Sequence, residues 1–264
     1  MLAVASLVTS VIAGAVPRAN PSPACTNPEV RKEWRELTED ERAEYIRAAK
    51  CVRELPKAHY ANFHDVVTRM DDLVYTHFAL NEIIHNVANF LPWHRWFVKL
   101  HEDILRTECG FTGTHPYWDW TIDADNNDMI NSPIFDPVTG FGGNGKPTGR
   151  NETGFQRCLT DGPFAYTNLT LGWGWPEFEK HSNRPHCLSR DFNAALGHDD
   201  NGDMIIGDLQ VTTYNSTIMD IVYGSATFNE MGPFLEGVPH AQSMFLLFLP
   251  DVRGPNRTCL AGLC

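Results

Sequence analysis

Apolar residues recur at roughly helical spacing in three stretches of the first 110 residues. From Glu29 to about Leu55, Val30, Trp34, Leu37, Tyr45, Ile46 and Val52 stand among charged neighbours, which predicts an amphipathic helix. Asn27-Pro28 reads as its N-cap and first helical residue, and Pro56 as its stop. A second helix is predicted from about Asn62 to His77, on Phe63, Val66, Val67, Met70, Leu73 and Val74. A third runs from Pro92 to about Thr107, with Trp93, Trp96, Phe97, Leu100 and Ile104. Beyond Cys109-Gly110 the pattern dissolves. Asp119 to Asn183 is rich in Gly, Pro, Asn and aromatics and reads as long loops with few regular elements. Short helices are predicted at 189–196, 213–223 and near 226–236. Neither a repeat nor a linker divides the chain, so residues 25 to 240 read as one mainly α domain.

Composition changes this picture little. Hydrophobic residues at 42% and charged residues at 20% of 264 are ordinary for a globular domain, and disorder is excluded. The net charge of −12 argues against nucleic acid or an anionic membrane as the main partner. The uncharged stretch Leu2–Val16 is too short to span a bilayer. It exits through Ala13-Gly14-Ala15, so residues 1–15 read as a secretory signal peptide and the product as secreted. Sequons at Asn151, Asn168, Asn215 and Asn256 agree with export, as do seven scattered cysteines, which in a secreted protein form disulfides. Seven is odd, so at least one lacks an intrachain partner. None forms a CxxC pair, so a thiolate zinc site is not expected.

The eleven histidines carry the chemistry. His77, His85 and His94 are eight and nine residues apart. Eight residues on a straight helix turn through about 800°, roughly 80° out of register, so His77 and His85 cannot share one helical face. A helix ending after His77, a loop carrying His85 and a helix whose first turn carries His94 can converge three imidazoles on one point. Three neutral imidazoles without thiolate or carboxylate suit copper or zinc. At ordinary imidazole pKa such ligation weakens below about pH 6.

The words around these histidines are more specific than their spacing. His85-Asn86-Val87-Ala88-Asn89-Phe90-Leu91-Pro92-Trp93-His94-Arg95-Trp96-Phe97 resembles the first copper-site signature of the tyrosinase and catechol oxidase family. Met70-Asp71-Asp72-Leu73-Val74-Tyr75-Thr76-His77 is similar to the run before the first ligand in its short secreted fungal branch. Arg31-Lys32-Glu33-Trp34-Arg35, Pro116-Tyr117-Trp118-Asp119-Trp120, Phe141-Gly142-Gly143-Asn144-Gly145 and Pro185-His186-Cys187-Leu188-Ser189-Arg190-Asp191-Phe192 follow in the order of that branch. The resemblance implies a four-helix bundle with copper ligands in its core and long loops outside. It implies a polyphenol oxidase taking o-diphenols, and in some members monophenols, to o-quinones with dioxygen. His77, His85 and His94 match the ligands of the first copper. Glu102 matches an acidic residue behind the ligands, His186 a structural motif, and His101 no ligand. Ile83 stands where some relatives carry a cysteine that forms a thioether to the second ligand.

The resemblance breaks at the second copper, which in the family takes a His-x-x-x-His pair and a further histidine. Phe234-Leu235-Glu236-Gly237-Val238-Pro239-His240 approaches that site, and His240 matches its first ligand. Four residues on stands Met244, and no histidine follows. Residues 241–264 therefore read as a tail outside the family, with the C-terminal part of the bundle missing. The family's chemistry uses two coppers, each passing one electron. One copper is expected here, and a non-catalytic relic that binds it is the alternative to an oxidase. The sequence leaves the oligomeric state, the natural phenol and the disulfide pairing open.

Overall fold

A computed structural model describes residues 26–151, 154–173, 181–190, 192 and 214–240. The expected signal peptide, the tail 241–264, His198, Cys25, Cys259 and Cys264 lie outside the described residues, as does most of the helix expected at 189–196. The account below concerns the unit that begins at Arg31.

The first helix begins later than its apolar pattern implies. Residues 27–32 are irregular, Trp34–Glu36 form one 3-10 turn, and α1 spans Glu39–Glu54. Thr38, not Asn27, is the N-cap: its hydroxyl accepts from the Glu41 N–H while Glu41 reaches back to the Thr38 N–H. Trp34 is pulled out of helix by pairing across the chain, its N–H donating to Tyr117 O at 2.8 Å and Tyr117 N–H to Lys32 O at 3.0 Å. The Arg31–Arg35 and Pro116–Trp120 motifs are thus one structural unit. Glu33 and Asp123 both pair with Arg35, and Asp123 also accepts from Trp118 Nε1.

The second helix, α2, spans Arg69–Ala79 and starts seven residues after the expected Asn62. Thr68 and Asp71 make a capping box that sets the start. Phe63 and Val66 pack in a satellite cluster with Tyr75 instead of continuing the helix. A short helix α3, Asn81–Ile84, follows Leu80, and α4 runs Phe90–Cys109, two residues ahead of Pro92. Proline is tolerated there because N–H groups in the first turn have no helical acceptor. Gly110 closes α4 at φ 64°, the left-handed conformation in which glycine carries no steric penalty.

The loop-rich middle holds more regular structure than its composition announced. A short α5, Trp120–Asp125, is followed by 3-10 turns at Met129–Asn131 and Pro133–Phe135. Two antiparallel hairpins come next, β1 Lys146–Asn151 with β2 Gly154–Cys158, and β3 Asn168–Trp173 with β4 His181–Cys187. Register shifts between Pro147 and Arg150, and between Leu169 and Leu171, interrupt both ladders. Strands with proline, glycine and shifted register do not alternate cleanly, so no period-2 signal was available. The expected short helices near the end are present as α6, Ser216–Gly224, and α7, Phe228–Leu235, which runs into a π-turn at Glu236–His240.

The mainly α expectation holds. Helix α1 packs on α2 and α4, and α6 on α5 and α7. The core gathers Trp34, Tyr45, Ala48, Val52, Leu73, Ile104, Leu105 and Phe111 with Phe135, Leu159, Phe164 and Tyr214 from the loop region. Among the described residues no helix is long and apolar enough to cross a membrane.

Two disulfides tie these layers. Cys51–Cys109 joins the end of α1 to the end of α4 across 58 residues, with Cα atoms 5.8 Å apart. By loop-closure entropy that constraint contributes roughly 4 kcal/mol. Cys158–Cys187 links the two hairpins. Arg190 gathers the glycine-rich motif. Its buried guanidinium donates to the carbonyls of Phe141, Gly142 and Gly143. At Gly145 a Cβ would stand 2.0 Å from Arg157 O and 2.5 Å from Arg190 O, so only glycine fits.

Candidate metal centre

Three elements deliver the three histidines. His77 lies in the last turn of α2, His85 in an extended residue just after α3, and His94 in the first turns of α4. The break at Leu80 and the turn at Asn86, with φ 54°, reverse the chain between His77 and His94. One ring nitrogen from each of the three lies within 4.8 Å of the others. Nε2 of His77 is 3.3 Å from Nε2 of His94. Two imidazole nitrogens on one tetrahedral ion with bonds of about 2.0 Å stand roughly that far apart.

Backbone carbonyls fix the tautomers. Nδ1 of His85 faces Asn81 O at 3.1 Å, and Nδ1 of His94 faces Phe90 O at 2.8 Å. A carbonyl only accepts, so Nδ1 carries the proton in both rings and Nε2 presents its lone pair. Nε2 of His85 is buried and accepts no hydrogen bond. A ring whose orphaned lone pair points at two other imidazoles fits a metal ion.

The surroundings keep the rings neutral. Phe90 lies 4.6 Å from His94 and 5.8 Å from His85, centroid to centroid, and the stacked Trp93 and Phe97 lie 5.8 and 6.0 Å from His77. Burial, with the neighbouring histidines adding to it, pushes His77 down to about 3. Burial also lowers His85 and His94, against the opposing effect of their carbonyl bonds. Proton competition therefore begins at lower pH than the ordinary imidazole value implied. Trp96, grouped with the buried face on sequence, is 57% exposed.

His240 arrives from the π-turn. Its ring lies 5.6 Å from that of His85 and 5.7 Å from that of His94. It stands beside the three, not among the mutually close nitrogens. Burial pushes it down to about 4. Sequence reasoning passed over Glu236, four residues before His240 and 4% exposed. Its Oε2 accepts from the N–H of Asn86 at 2.7 Å, and burial raises its carboxyl. The available signal was the four-residue spacing, which puts a carboxylate on the histidine's side of a helical turn.

The remaining candidates are structural. Glu102, buried to 2%, accepts from the N–H of His115 at 2.7 Å and pairs with Arg31 at 3.3 Å. His101 meets His115 at 3.2 Å, and His115 meets Tyr45 OH at 3.2 Å. Burial, with His115 and Arg53 adding to it, pushes His101 down to about 3.

A helix end, a short connection and a helix start thus converge three imidazoles, two of them anchored through Nδ1, into a group that could hold one metal ion. Residues 67–245 match the family model described as the common central domain of tyrosinase. The chain belongs to the tyrosinase family, whose members use copper. It is 43% identical over 184 residues to the tyrosinase-like protein phomQ1' of Diaporthe leptostromiformis, covering 69% of this chain and 46% of that one. It is 48% identical over 111 residues to the N-acetyl-6-hydroxytryptophan oxidase ivoB of Emericella nidulans, covering 42% and 30%. A solved polyphenol oxidase from Thermothelomyces thermophila, the G292N mutant, superposes with a TM-score of 0.62 at 29% identity, over 80% of this chain and 58% of that one. The chain spans under half the length of the phomQ1' relative.

Proposed function

We propose that this domain serves a secreted copper oxidoreductase of the polyphenol oxidase type, taking o-diphenols to o-quinones with dioxygen. The observation that carries the reading is the group His77, His85 and His94, which we assign to the first copper. His240 is assigned as the first ligand of a second copper, since its ring stands beside the group. Names among the relatives support the substrate class: one oxidises a hydroxylated tryptophan derivative, and the similar structure is a polyphenol oxidase.

When bound, copper supplies one-electron redox chemistry and a Lewis-acid site for oxygen ligands. The chain's own residues do the rest. Asn81 O and Phe90 O hold the Nδ1 protons of His85 and His94, so that Nε2 faces inward. Burial keeps His77 neutral and ready to bind. Phe90, Trp93 and Phe97 set apolar rings against His94 and His77.

One observation favours a narrower reading for the 264-residue chain itself. Met244 stands where a second imidazole would follow His240, and residues 241–264 hold no histidine. Read this way, the chain holds one copper and lacks the second that the two-electron oxidation uses. Oxygen uptake by the copper-loaded chain on a simple catechol, measured with its copper content, separates the readings. One copper without uptake supports the single-metal form, and two coppers with turnover would establish the oxidase in this chain.

A further inference from the structure

We propose that Glu236 is a positioning residue for the metal centre: its carboxylate fastens the His85 loop to the His240 turn and so sets how tightly the three histidines bind a metal ion. The inference rests on reading His77, His85 and His94 as ligands.

His85 has the least support of the three. His77 and His94 sit on helices of 11 and 20 residues, whereas His85 follows a helix of only four. Its own N–H and its Nδ1 both turn to Asn81 O, at 3.2 and 3.1 Å, which orients the ring but anchors it only to that short helix. The next residue, Asn86, turns the chain at φ 54°, a left-handed conformation that asparagine adopts more readily than most non-glycine residues. The N–H of this residue donates to Glu236 Oε2 at 2.7 Å, across 150 residues of sequence.

Glu236 is itself well fixed. Its backbone N–H bonds to Gly232 O and Pro233 O at the end of α7, and the residue is 4% exposed. A backbone N–H bound to a carboxylate makes a charge-assisted bond, stronger than one to a neutral acceptor. Its other oxygen, Oε1, is buried and accepts no hydrogen bond. Holding a carboxyl group in that setting is unfavourable, and the bond to Asn86 gives a physical reason for it to be there. Because Glu236 opens the same turn that ends in His240, the bond joins the two histidine-bearing segments directly. Partners that hold metal ligands from behind typically change metal affinity by about 10- to 100-fold when removed. Loss of the Glu236 carboxylate frees Asn86 and lets the His85 ring drift from the point where three nitrogens meet.

The test titrates copper(II) into the metal-free full chain and into its Glu236→Ala and Glu236→Gln variants, against a competing chelator. Amide exchange at Asn86 and the electron-paramagnetic spectrum of the bound ion are recorded alongside. Glu236→Ala is expected to bind copper about 10- to 100-fold more weakly, with a shifted spectrum and faster exchange at Asn86. Glu236→Gln keeps an oxygen acceptor for the Asn86 N–H and is expected to restore most of the affinity and the spectrum. If the alanine variant fails to fold, Glu236→Asp takes its place, since it keeps the charge but is one methylene too short to reach Asn86. Equal affinity in all variants overturns the inference. Glutamine binding as poorly as alanine also overturns it, because the charge and not the bond would then matter. A parent chain that takes up no copper overturns the three-histidine reading itself.

Discussion

Nε2 of His77 and Nε2 of His94 face each other at 3.3 Å across the gap between α2 and α4. In His94 the Nδ1 proton is committed to Phe90 O, so its Nε2 offers only a lone pair. His85 is arranged in the same way against Asn81 O. Nε2 of His85 and Nε2 of His94 thus offer lone pairs at the point where the three rings meet, and burial keeps the rings uncharged.

That burial gives the metal-free protein a pH dependence. His77 and His101 are pushed down to about 3, and His240 to about 4. Unfolded, each takes a proton near pH 6.5. The unfolded state therefore binds more protons than the folded one below about 6.5, and stability falls with pH down toward the folded values. Above 6.5 the contribution is fully present. Urea denaturation of the metal-free protein at pH 7.5 and 5.5, a window in which histidines dominate the titration, is expected to show lower stability at 5.5. His101→Gln should reduce the difference. A midpoint independent of pH over that window contradicts the assignment of neutral buried rings.

The disulfide Cys51–Cys109 pins the end of α1 to the end of α4, the helix that carries His94. Replacing both cysteines by alanine is expected to lower stability by about 2–5 kcal/mol. The measurement is chemical denaturation of the paired variant beside the parent. An unchanged midpoint would show that the helical packing alone fixes this end of α4.

Arg190 supports the loop region through one guanidinium shared among three successive carbonyls. Arg190→Ala is expected to cost about 2–4 kcal/mol, since the carbonyls lose a charged donor inside the protein. Arg190→Lys should recover little, because an ammonium lacks the planar fork that reaches several oxygens. Thermal melts of both variants check this, and full recovery by lysine would contradict it.

Legibility in the sequence followed the strength of the local signal. The three histidines and the interruption between His77 and His85 were readable because eight residues do not close on one helical face. Helix starts were misplaced at α1 and α2, where Trp34 and Phe63 carry helical periodicity but serve cross-chain pairing and a satellite cluster. The capping boxes at Thr38/Glu41 and Thr68/Asp71 were present and would have set both starts. The hairpins were hidden by proline, glycine and shifted register. Glu236 offered only its four-residue spacing from His240, because its partner, the Asn86 N–H, is a backbone group 150 residues away.

The most direct measurement is the copper content and affinity of the purified 264-residue chain beside its His94→Ala and His240→Ala variants, determined at pH 7 by chelator competition and elemental analysis. The parent is expected to retain one copper per chain. His94→Ala should lose it, because two imidazoles remain where three converge, while His240→Ala should keep it, because that ring stands outside the group. A parent without copper, or a His94→Ala variant that binds as tightly as the parent, would contradict the assignment of His77, His85 and His94 as the metal site.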